Sequence, residues 1–281
     1  MSSLPILTQV DGAVLTIIFN APERRNALSP EMLCRLADAV IAFQADPALR
    51  VAIITGAGDR AFCAGGDLAR TLPLMTGARA PEDDWDRRVL HDPVVMPASG
   101  LRDHPIDKPI VAAINGVCLA AGFELLLGTD LRVAAEHASF GLPEIQRALL
   151  PFAGAMVRLP RQIPQALAME LLLTGEPIGA NEALRFGLIN RVVAADQVLP
   201  VARAWAERIA ANGPLAVQAV KRTVLAASGL PLAQGYELEN DAKRLVLGTE
   251  DAAKGRRPSW KSGRRRIAGA DRFSNRRRWS G

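Results

Sequence analysis

The sequence predicts an α/β protein with strands buried on both faces, followed by a helical C-terminal portion. Apolar runs at Val51 to Thr55, Ile110 to Ile114 and Leu131 to Ala134 are short and bounded by glycine-rich turns or helical stretches. From about Pro160 the apolar residues recur mainly at helical spacing. Strands that alternate with helices, and then helices alone, are typical of a single α/β core with a helical appendage.

The first elements are a hairpin and a capped helix. Ile6 to Val10 and Val14 to Phe19 flank Asp11-Gly12, which is a favoured two-residue hairpin turn. Ser29-Pro30 predicts a helix start, because serine is a good N-cap and proline is tolerated in the first turn. We expect this helix to end at about Gln44.

The rest of the chain divides by its patterning. Residues 71–105 show no clear period and predict a surface segment with short helices. Later stretches have helical apolar spacing: 165–173, 180–186, 196–212, 214–227 and 232–248. We therefore predict a core over residues 1–195, a helical region over 196–254 and a basic, disordered tail over 255–281.

Composition narrows the classes of function. Hydrophobic residues make up 49% of the 281 residues and aromatics only 5%, so the core is aliphatic. No apolar run approaches the roughly 18 residues that a membrane span needs, and the N-terminus lacks the layout of a signal peptide. Cys34, Cys63 and Cys118 show no metal-like spacing, so we expect no metal and a reducing, cytoplasmic location.

The net charge of +5 conceals an asymmetry. Residues 255–281 hold ten Lys or Arg and one Asp, so the remaining chain has a net charge of −4. A basic tail can bind nucleic acid or an acidic membrane. The body lacks the interleaved aromatic and basic residues of single-strand sites. We therefore expect a solvated tail, and neither a nucleic-acid nor a membrane partner.

Two similar loops are candidates for an anion site. The segment Ala64 to Leu68 is similar to Ala121 to Leu125, and each follows a predicted buried strand. Small residues allow close backbone approach, and the first N–H groups of a helix lack internal partners. Such a site could hold a phosphate or a developing oxyanion. Two donors from two loops suit a single carbonyl oxygen.

Other chemistries have weaker support. Gly56-x-Gly58 could open a dinucleotide-binding turn, but it requires a helix directly afterwards. The three histidines lack ligand spacing, and no G-x-S-x-G elbow is present. Cys63 beside the first loop is more simply a small buried residue. Carboxylates remain as candidates: Glu124, one turn into the predicted helix, and Glu144, after Gly141-Leu142-Pro143.

Several motifs in order then identify a resemblance. They are Asn20 to Ser29, Phe62 to Leu68, Lys108-Pro109 with Ala113 to Gly116 and Gly122 to Leu125, Ala138 to Glu144, and Ala183 to Val193. With these motifs the chain resembles the crotonase (enoyl-CoA hydratase/isomerase) superfamily over residues 10–253. The resemblance implies a spiral of strand–strand–helix turns, with C-terminal helices that build a trimer or hexamer.

The resemblance also implies an acyl-CoA substrate and a set of site residues. The N–H groups of Ala64 and Ala121 would form the oxyanion hole, and Glu124 and Glu144 would be the catalytic glutamates. Coenzyme A enters as part of the substrate, so no separate cofactor is expected. The implied substrate-binding residues are Arg24, Arg25, Ala27, Leu28, Ala64, Gly65, Gly66, Asp67, Leu68 and Gly122.

With both glutamates present, the implied reaction is hydration of 2-enoyl-CoA thioesters. Two alternatives lie in the same family, carnitinyl-CoA dehydration and enoyl-CoA isomerisation. Two further alternatives are non-catalytic: the chain could bind acyl-CoA without turnover, or bind RNA. A dinucleotide-dependent oxidoreductase is the most remote alternative.

Three departures from the family pattern stand out. Ala121 replaces the usual glycine, which is acceptable for a backbone donor if its φ is negative. Phe152 and Met156 predict an altered acyl pocket. After Ala253 the tail no longer matches the family pattern. One choice of codons for Pro258 to Arg265, read in another frame, encodes Phe-Leu-Glu-Lys-Arg-Pro-Pro. That peptide matches the usual ending of family members. We hypothesise a frameshift near Ala253 or Lys254, which resequencing would test.

Overall fold

The computed structural model describes residues 4–104 and 106–249. Within these ranges the strands are β1 Ile6–Asp11, β2 Val14–Phe19, β3 Val51–Gly56, β4 Ala61–Cys63, β5 Ile110–Ile114, β6 Val117–Leu119, β7 Leu131–Ala135, β8 Ser139–Gly141, β9 Ile178–Gly179 and β10 Arg191–Val193. The helices of the same ranges are α1 Pro30–Ala45, α2 Thr71–Met75, α3 Asp84–His91, α4 Val95–Ser99, α5 Ala121–Leu126, α6 Ala155–Gln162, α7 Gln165–Thr174, α8 Ala180–Arg185, α9 Val198–Ala210, α10 Pro214–Ala227 and α11 Leu232–Leu247.

The strands form two sheets. The larger has the order β1-β2-β3-β5-β7-β10, and all its pairs are parallel except the β1–β2 hairpin. The smaller has the order β4-β6-β8-β9, with parallel pairs β4–β6 and β6–β8. From β3 to β8, successive strands therefore alternate between the large and the small sheet. This confirms the α/β class, the spiral arrangement and the predicted N-terminal hairpin.

The packing follows the sequence pattern. Every residue of β5 and the first five residues of β3 are buried. The Ser29 side chain accepts a hydrogen bond from the Met32 N–H (3.2 Å), which confirms the predicted cap of α1. Residues 71–105 carry the short helices α2, α3 and α4, as expected.

The chain divides into two compact units, the first ending at Ile209 and the second beginning at Ala210. Helix α9 belongs almost wholly to the first unit, and α10 and α11 form the described part of the second. The predicted tail over 255–281 and the hypothesised frameshift lie outside the described residues. None of the helices in the described part of the chain is long and apolar enough to cross a bilayer.

The topology places the two candidate loops side by side. Strands β4 and β6 are parallel neighbours, and Cys63 pairs with Cys118. The segments that follow these strands, beginning at Ala64 and Ala120, therefore leave the same edge of the small sheet. This explains the sequence similarity of the two loops as a repeated position in the fold.

Candidate active site

A cavity of about 290 Å³ lies at this edge and collects most of the predicted site residues. Its lining includes eight of the predicted residues: Arg25, Leu28, Ala64, Gly66, Leu68, Ala121, Glu124 and Glu144. The residues that complete its wall are largely apolar, and they include Leu72, Met75, Met96, Leu149, Leu150 and Phe152. The cavity thus combines an apolar lining with carboxyl groups and backbone donors.

The first loop is held by backbone hydrogen bonds to the segment before α1. The N–H of Leu28 donates to Gly65 O (2.8 Å), and the N–H of Asp67 donates to Leu28 O (3.0 Å). The N–H of Ala64 donates to Arg25 O at 3.0 Å. Ala64 N–H is therefore already used to hold the loop, which conflicts with its predicted role as an oxyanion donor.

The next residues of this loop leave a donor available. Gly65 has φ +103°, a conformation that favours glycine, and it turns the backbone beyond Ala64. Gly66 lines the cavity, and its N–H makes no hydrogen bond with any residue in the described ranges. A Cβ added at Gly66 would meet nothing within 4 Å, so this backbone is open on its side-chain face. Spacing alone could not distinguish the N–H of Gly66 from that of Ala64.

The second loop presents Ala121 at the start of α5. Its N–H has no protein partner among residues 4–104 and 106–249, and Glu124 N–H makes the first bond of the turn, to Ala120 O (2.9 Å). Ala121 has negative φ, which meets the condition for an alanine at this position. The strain lies one residue earlier, because Ala120 has φ 51° and ψ −130°. A Cβ built on Gly65 would lie 3.5 Å from Ala121 N, so the two loops are in contact.

Glu124 lies on α5 and is 3% exposed. Its Oε1 accepts a hydrogen bond from the Ala155 N–H at 3.3 Å. Burial raises the pKa of Glu124 to about 7, and the negative charge of Glu144 acts in the same direction. The hydrogen bonds from backbone N–H groups and the charge of Arg102 oppose this rise. Such a carboxyl can hold or release a proton near neutral pH.

The second glutamate, Glu144, lies in a 3₁₀ turn, Pro143–Arg147, that follows β8. Its Oε2 is buried and has no hydrogen-bond partner within the described chain. Burial raises the pKa of Glu144, and the charge of Arg147 opposes that rise. Buried carboxyl oxygens normally accept a hydrogen bond, and a water or substrate in the cavity could donate one to Oε2.

The predicted CoA-binding segment borders both this cavity and a second one. Arg24 and Ala27 line a cavity of about 470 Å³ formed by residues around 20–32, while Arg25 and Leu28 line the first. The segment is fixed by the buried side chain of Asn26, whose Nδ2 donates to Ala61 O at 2.8 Å. Arg24 also lies 3.6 Å from Asp67.

The remaining predicted residues have structural roles. Gly65 and Gly122 do not line the 290 Å³ cavity, and a Cβ at Gly122 would lie 2.5 Å from Cys63 O. Gly122 therefore permits close packing of α5 on β4. Asp67 also lies outside the lining, where its Oδ1 accepts from Ala69 N–H at 2.8 Å. Burial raises the pKa of the Cys63 thiol to about 12, as expected for an unreactive cysteine.

The predicted changes in the acyl pocket are half supported. Phe152 lines the cavity, but Met156 does not and instead lines a neighbouring hollow with Arg102 and Arg158.

The dinucleotide alternative lacks its required helix, because β4 follows Gly58. Groups of side chains suited to hold a metal ion are absent from the described residues.

Comparisons with known proteins agree with this geometry. Residues 9–261 match the model of the enoyl-CoA hydratase/isomerase family. A carnitinyl-CoA dehydratase of Proteus mirabilis is 39% identical, with 89% of this chain and 95% of the relative covered. An (E)-benzylidenesuccinyl-CoA hydratase of Thauera aromatica is 37% identical, with 90% and 94% covered.

The fold has close counterparts among solved structures. The crystal structure of an enoyl-CoA hydratase from Bacillus anthracis superposes with a TM-score of 0.80 at 35% identity, and covers 89% of this chain and 94% of its own. The chain is thus similar to these proteins along most of its length. It also has a strand spiral, two loops on one edge of the small sheet and a pair of glutamates in one cavity. The chain belongs to the enoyl-CoA hydratase/isomerase family.

Proposed function

We propose that this protein hydrates 2-enoyl-CoA thioesters to 3-hydroxyacyl-CoA, with the N–H groups of Gly66 and Ala121 as the oxyanion hole. The observation that carries the proposal is the buried Glu124 and the half-buried Glu144 in one cavity with two backbone N–H groups that have no partner among the described residues. Ala64, proposed from its motif, contributes instead by fixing the loop through Arg25 O.

The chemistry follows from the arrangement. Hydrogen bonds from Gly66 and Ala121 to the thioester oxygen withdraw electrons from the conjugated double bond and make Cβ electrophilic. Water adds its oxygen to Cβ, and the π electrons move to the thioester oxygen as an enolate. The water proton passes to the glutamates, and a proton is delivered to Cα as the enolate collapses. The net reaction adds one water and requires no redox partner.

The raised pKa values of the two glutamates support a mechanism in which one acts as base and the other as acid. Addition needs one carboxylate to accept a proton from water and one carboxylic acid to donate a proton to Cα. Two carboxyl groups that share one cavity disfavour double ionisation, and burial strengthens this effect. Isomerisation moves one proton between carbons and can proceed with a single base, so the glutamate pair favours hydration or its reverse.

A carnitinyl acyl group has less support from the cavity. Quaternary ammonium groups are typically bound against several aromatic faces. Phe152 is the aromatic side chain among the described lining residues, and Arg147, which also lines the cavity, would repel a cation. Carnitinyl-CoA dehydration is kept as the alternative reaction, because the elimination would use the same groups.

We further propose a cytoplasmic homotrimer or hexamer. Support comes from the second unit, where α10 and α11 expose large apolar side chains, including Val220, Val224, Leu232 and Tyr236. Exposed apolar faces of this kind favour association. The three free, buried cysteines suit a reducing compartment. Light scattering of the purified protein would test the assembly, and a monodisperse monomer would contradict it.

The test of the reaction is an assay with crotonyl-CoA and longer or branched 2-enoyl-CoA thioesters. We expect loss of the absorbance of the conjugated thioester, with formation of 3-hydroxyacyl-CoA confirmed by mass spectrometry. Absence of turnover on every chain length, with 3-enoyl-CoA isomerised instead, would replace hydration by isomerisation. Carnitinyl-CoA and crotonobetainyl-CoA belong in the same panel.

A further inference from the structure

Two arginines that line the cavity, Arg25 and Arg147, form no ion pair with any residue that the structure describes. Arg147 ends the 3₁₀ turn that carries Glu144, and its side chain lines the cavity. Its Nη1 makes one long contact, 3.5 Å to Pro143 O, and it forms no ion pair with any residue that the structure describes. Arg25 belongs to the predicted CoA-binding segment, whereas Arg147 shares its turn with Glu144. Of the arginines close by, Arg24 lies 3.6 Å from Asp67 and Arg102 lies 2.7 Å from Asp103.

The cavity that Arg147 lines has a largely apolar wall. Leu149, Leu150 and Phe152 follow it in sequence and line the same cavity, and Leu72 and Met75 contribute from α2. An arginine beside such a surface can lay its alkyl stem on apolar groups while its guanidinium remains available. This guanidinium has the planar geometry that binds a carboxylate through two hydrogen bonds.

The charges of the cavity favour an anionic acyl group. Its charged lining residues are Arg25, Arg147, Glu124 and Glu144. Burial raises the pKa of both glutamates, so together they carry less than two full negative charges near neutral pH. The proposed hydration needs one protonated and one ionised glutamate, so two arginines then accompany a single carboxylate in the lining. An uncharged alkyl chain would offer the exposed guanidinium of Arg147 no partner, whereas a carboxylate would pair with it.

We propose that Arg147 selects 2-enoyl-CoA thioesters whose acyl group carries a second, free carboxylate. This inference rests on the proposed hydration and names its substrate class. The thioester oxygen binds the two backbone donors, the double bond lies by the glutamates, and the free carboxylate binds the Arg147 guanidinium. Arg147 thus acts on substrate selection, and the glutamates perform the chemistry.

The experiment compares two substrates that differ only at the chain end, hex-2-enedioyl-CoA and hex-2-enoyl-CoA, with a shorter pair, glutaconyl-CoA and pent-2-enoyl-CoA. We expect the native enzyme to have the higher kcat/KM on the carboxylated member of at least one pair. Arg147→Met should lower kcat/KM for that member by about 10- to 100-fold, since a charge-assisted hydrogen bond is lost. For the neutral member we expect a smaller loss, so the ratio of the two kcat/KM values should fall, and Arg147→Lys should restore part of the preference.

The matched control is Arg161→Met. Arg161 is also exposed, also contacts a backbone carbonyl four residues earlier, Val157 O, and does not line the cavity. It should leave the ratio of the two kcat/KM values unchanged. Because this ratio compares two substrates on one enzyme, any effect of Arg147 on the pKa of Glu144 cancels.

Three results would overturn the inference. They are a native preference for the neutral member of both pairs, an equal loss on both members with Arg147→Met, and an equal loss with Arg161→Met. If the native enzyme turns over neither substrate, the proposed hydration fails on its own. The inference is then decided by calorimetry with adipyl-CoA and hexanoyl-CoA, where equal Kd values, or a difference that persists in Arg147→Met, would contradict it.

Discussion

A Cβ built on Gly65 would lie 2.6 Å from the Cβ of Ala120, so no methyl group fits between the two donor loops. Both residues have unusual backbone conformations, with φ +103° at Gly65 and φ 51° at Ala120. This contact brings the N–H of Gly66 and the N–H of Ala121 to the same wall of the cavity. The geometry of the proposed oxyanion hole therefore depends on residues that donate no hydrogen bond to the substrate.

Gly65→Ala should damage both stability and turnover. The added methyl group would meet Ala120, and a positive φ costs a non-glycine residue about 1–3 kcal/mol. We expect a lower free energy of unfolding, measured by urea denaturation, together with a lower kcat. Gly66→Ala is the matched control for stability, because no atom lies within 4 Å of its added Cβ. Equal stability of Gly65→Ala and the native protein would contradict the packing argument.

Ala120→Gly and Ala121→Gly should act in opposite directions. Ala120 occupies φ 51° and ψ −130°, a region that glycine enters readily, so Ala120→Gly should stabilise the fold by about 1 kcal/mol. Ala121 has negative φ at the start of a helix, so Ala121→Gly should destabilise by about 0.5–1 kcal/mol. Thermal unfolding of the two variants checks both signs. Destabilisation by Ala120→Gly would show that strain is not located at Ala120.

Glu124→Gln and Glu144→Gln should each reduce turnover by at least about 100-fold, because general acid–base assistance is worth about 10²–10⁴-fold. Each amide keeps the size of the side chain, so the fold should be retained, as circular dichroism would show. Glu170→Gln, at an exposed position on α7, serves as the control. Native rates in either cavity variant would remove that residue from the proposed mechanism.

The stability of the protein should depend on pH through Glu124. Its pKa is raised from 4.5 to about 7, so between these values the folded protein binds more protons than the unfolded chain. Stability contributed by this group is therefore present at low pH and is lost as pH rises toward 7, by on the order of 3 kcal/mol. The charges that act on Glu124 include Glu144 and Arg102.

Urea denaturation of the native protein and of Glu124→Gln at several pH values measures this effect. The difference in unfolding free energy between the two proteins should shift against the native protein from pH 4.5 to pH 7. A difference that is flat with pH, or that shifts the other way, would show that the Glu124 carboxyl titrates as an ordinary exposed group.

A structure with bound 3-hydroxyacyl-CoA would distinguish the two candidate donors in the first loop. We expect the thioester oxygen within about 3.2 Å of Gly66 N and Ala121 N. Ala64 N should keep its hydrogen bond to Arg25 O. If the ligand instead displaces the Arg25 carbonyl and binds Ala64 N–H, the original motif-based assignment is restored.

Local patterns in the sequence determined much of the fold. Ser29-Pro30 fixed the start of α1, Asp11-Gly12 fixed the hairpin, and short apolar runs located β3, β5 and β7. These features depend on neighbours in the chain, so they can be inferred without tertiary contacts. The adjacency of the two small-residue loops and the position of Glu124 and Glu144 in one cavity were also recognisable, because their motifs occur in a fixed order.

Tertiary structure alone decided which groups of those loops face the cavity. Whether Ala64 or Gly66 offers its N–H depends on a hydrogen bond to Arg25, almost forty residues earlier in the chain. The location of strain at Ala120 depends on its contact with Gly65. Arg147 gained significance only when the fold placed it in the cavity with the glutamates and without an ion pair to any residue that the structure describes. Donor availability, strain and charge pairing arise from contacts distant in sequence, which residue spacing does not encode.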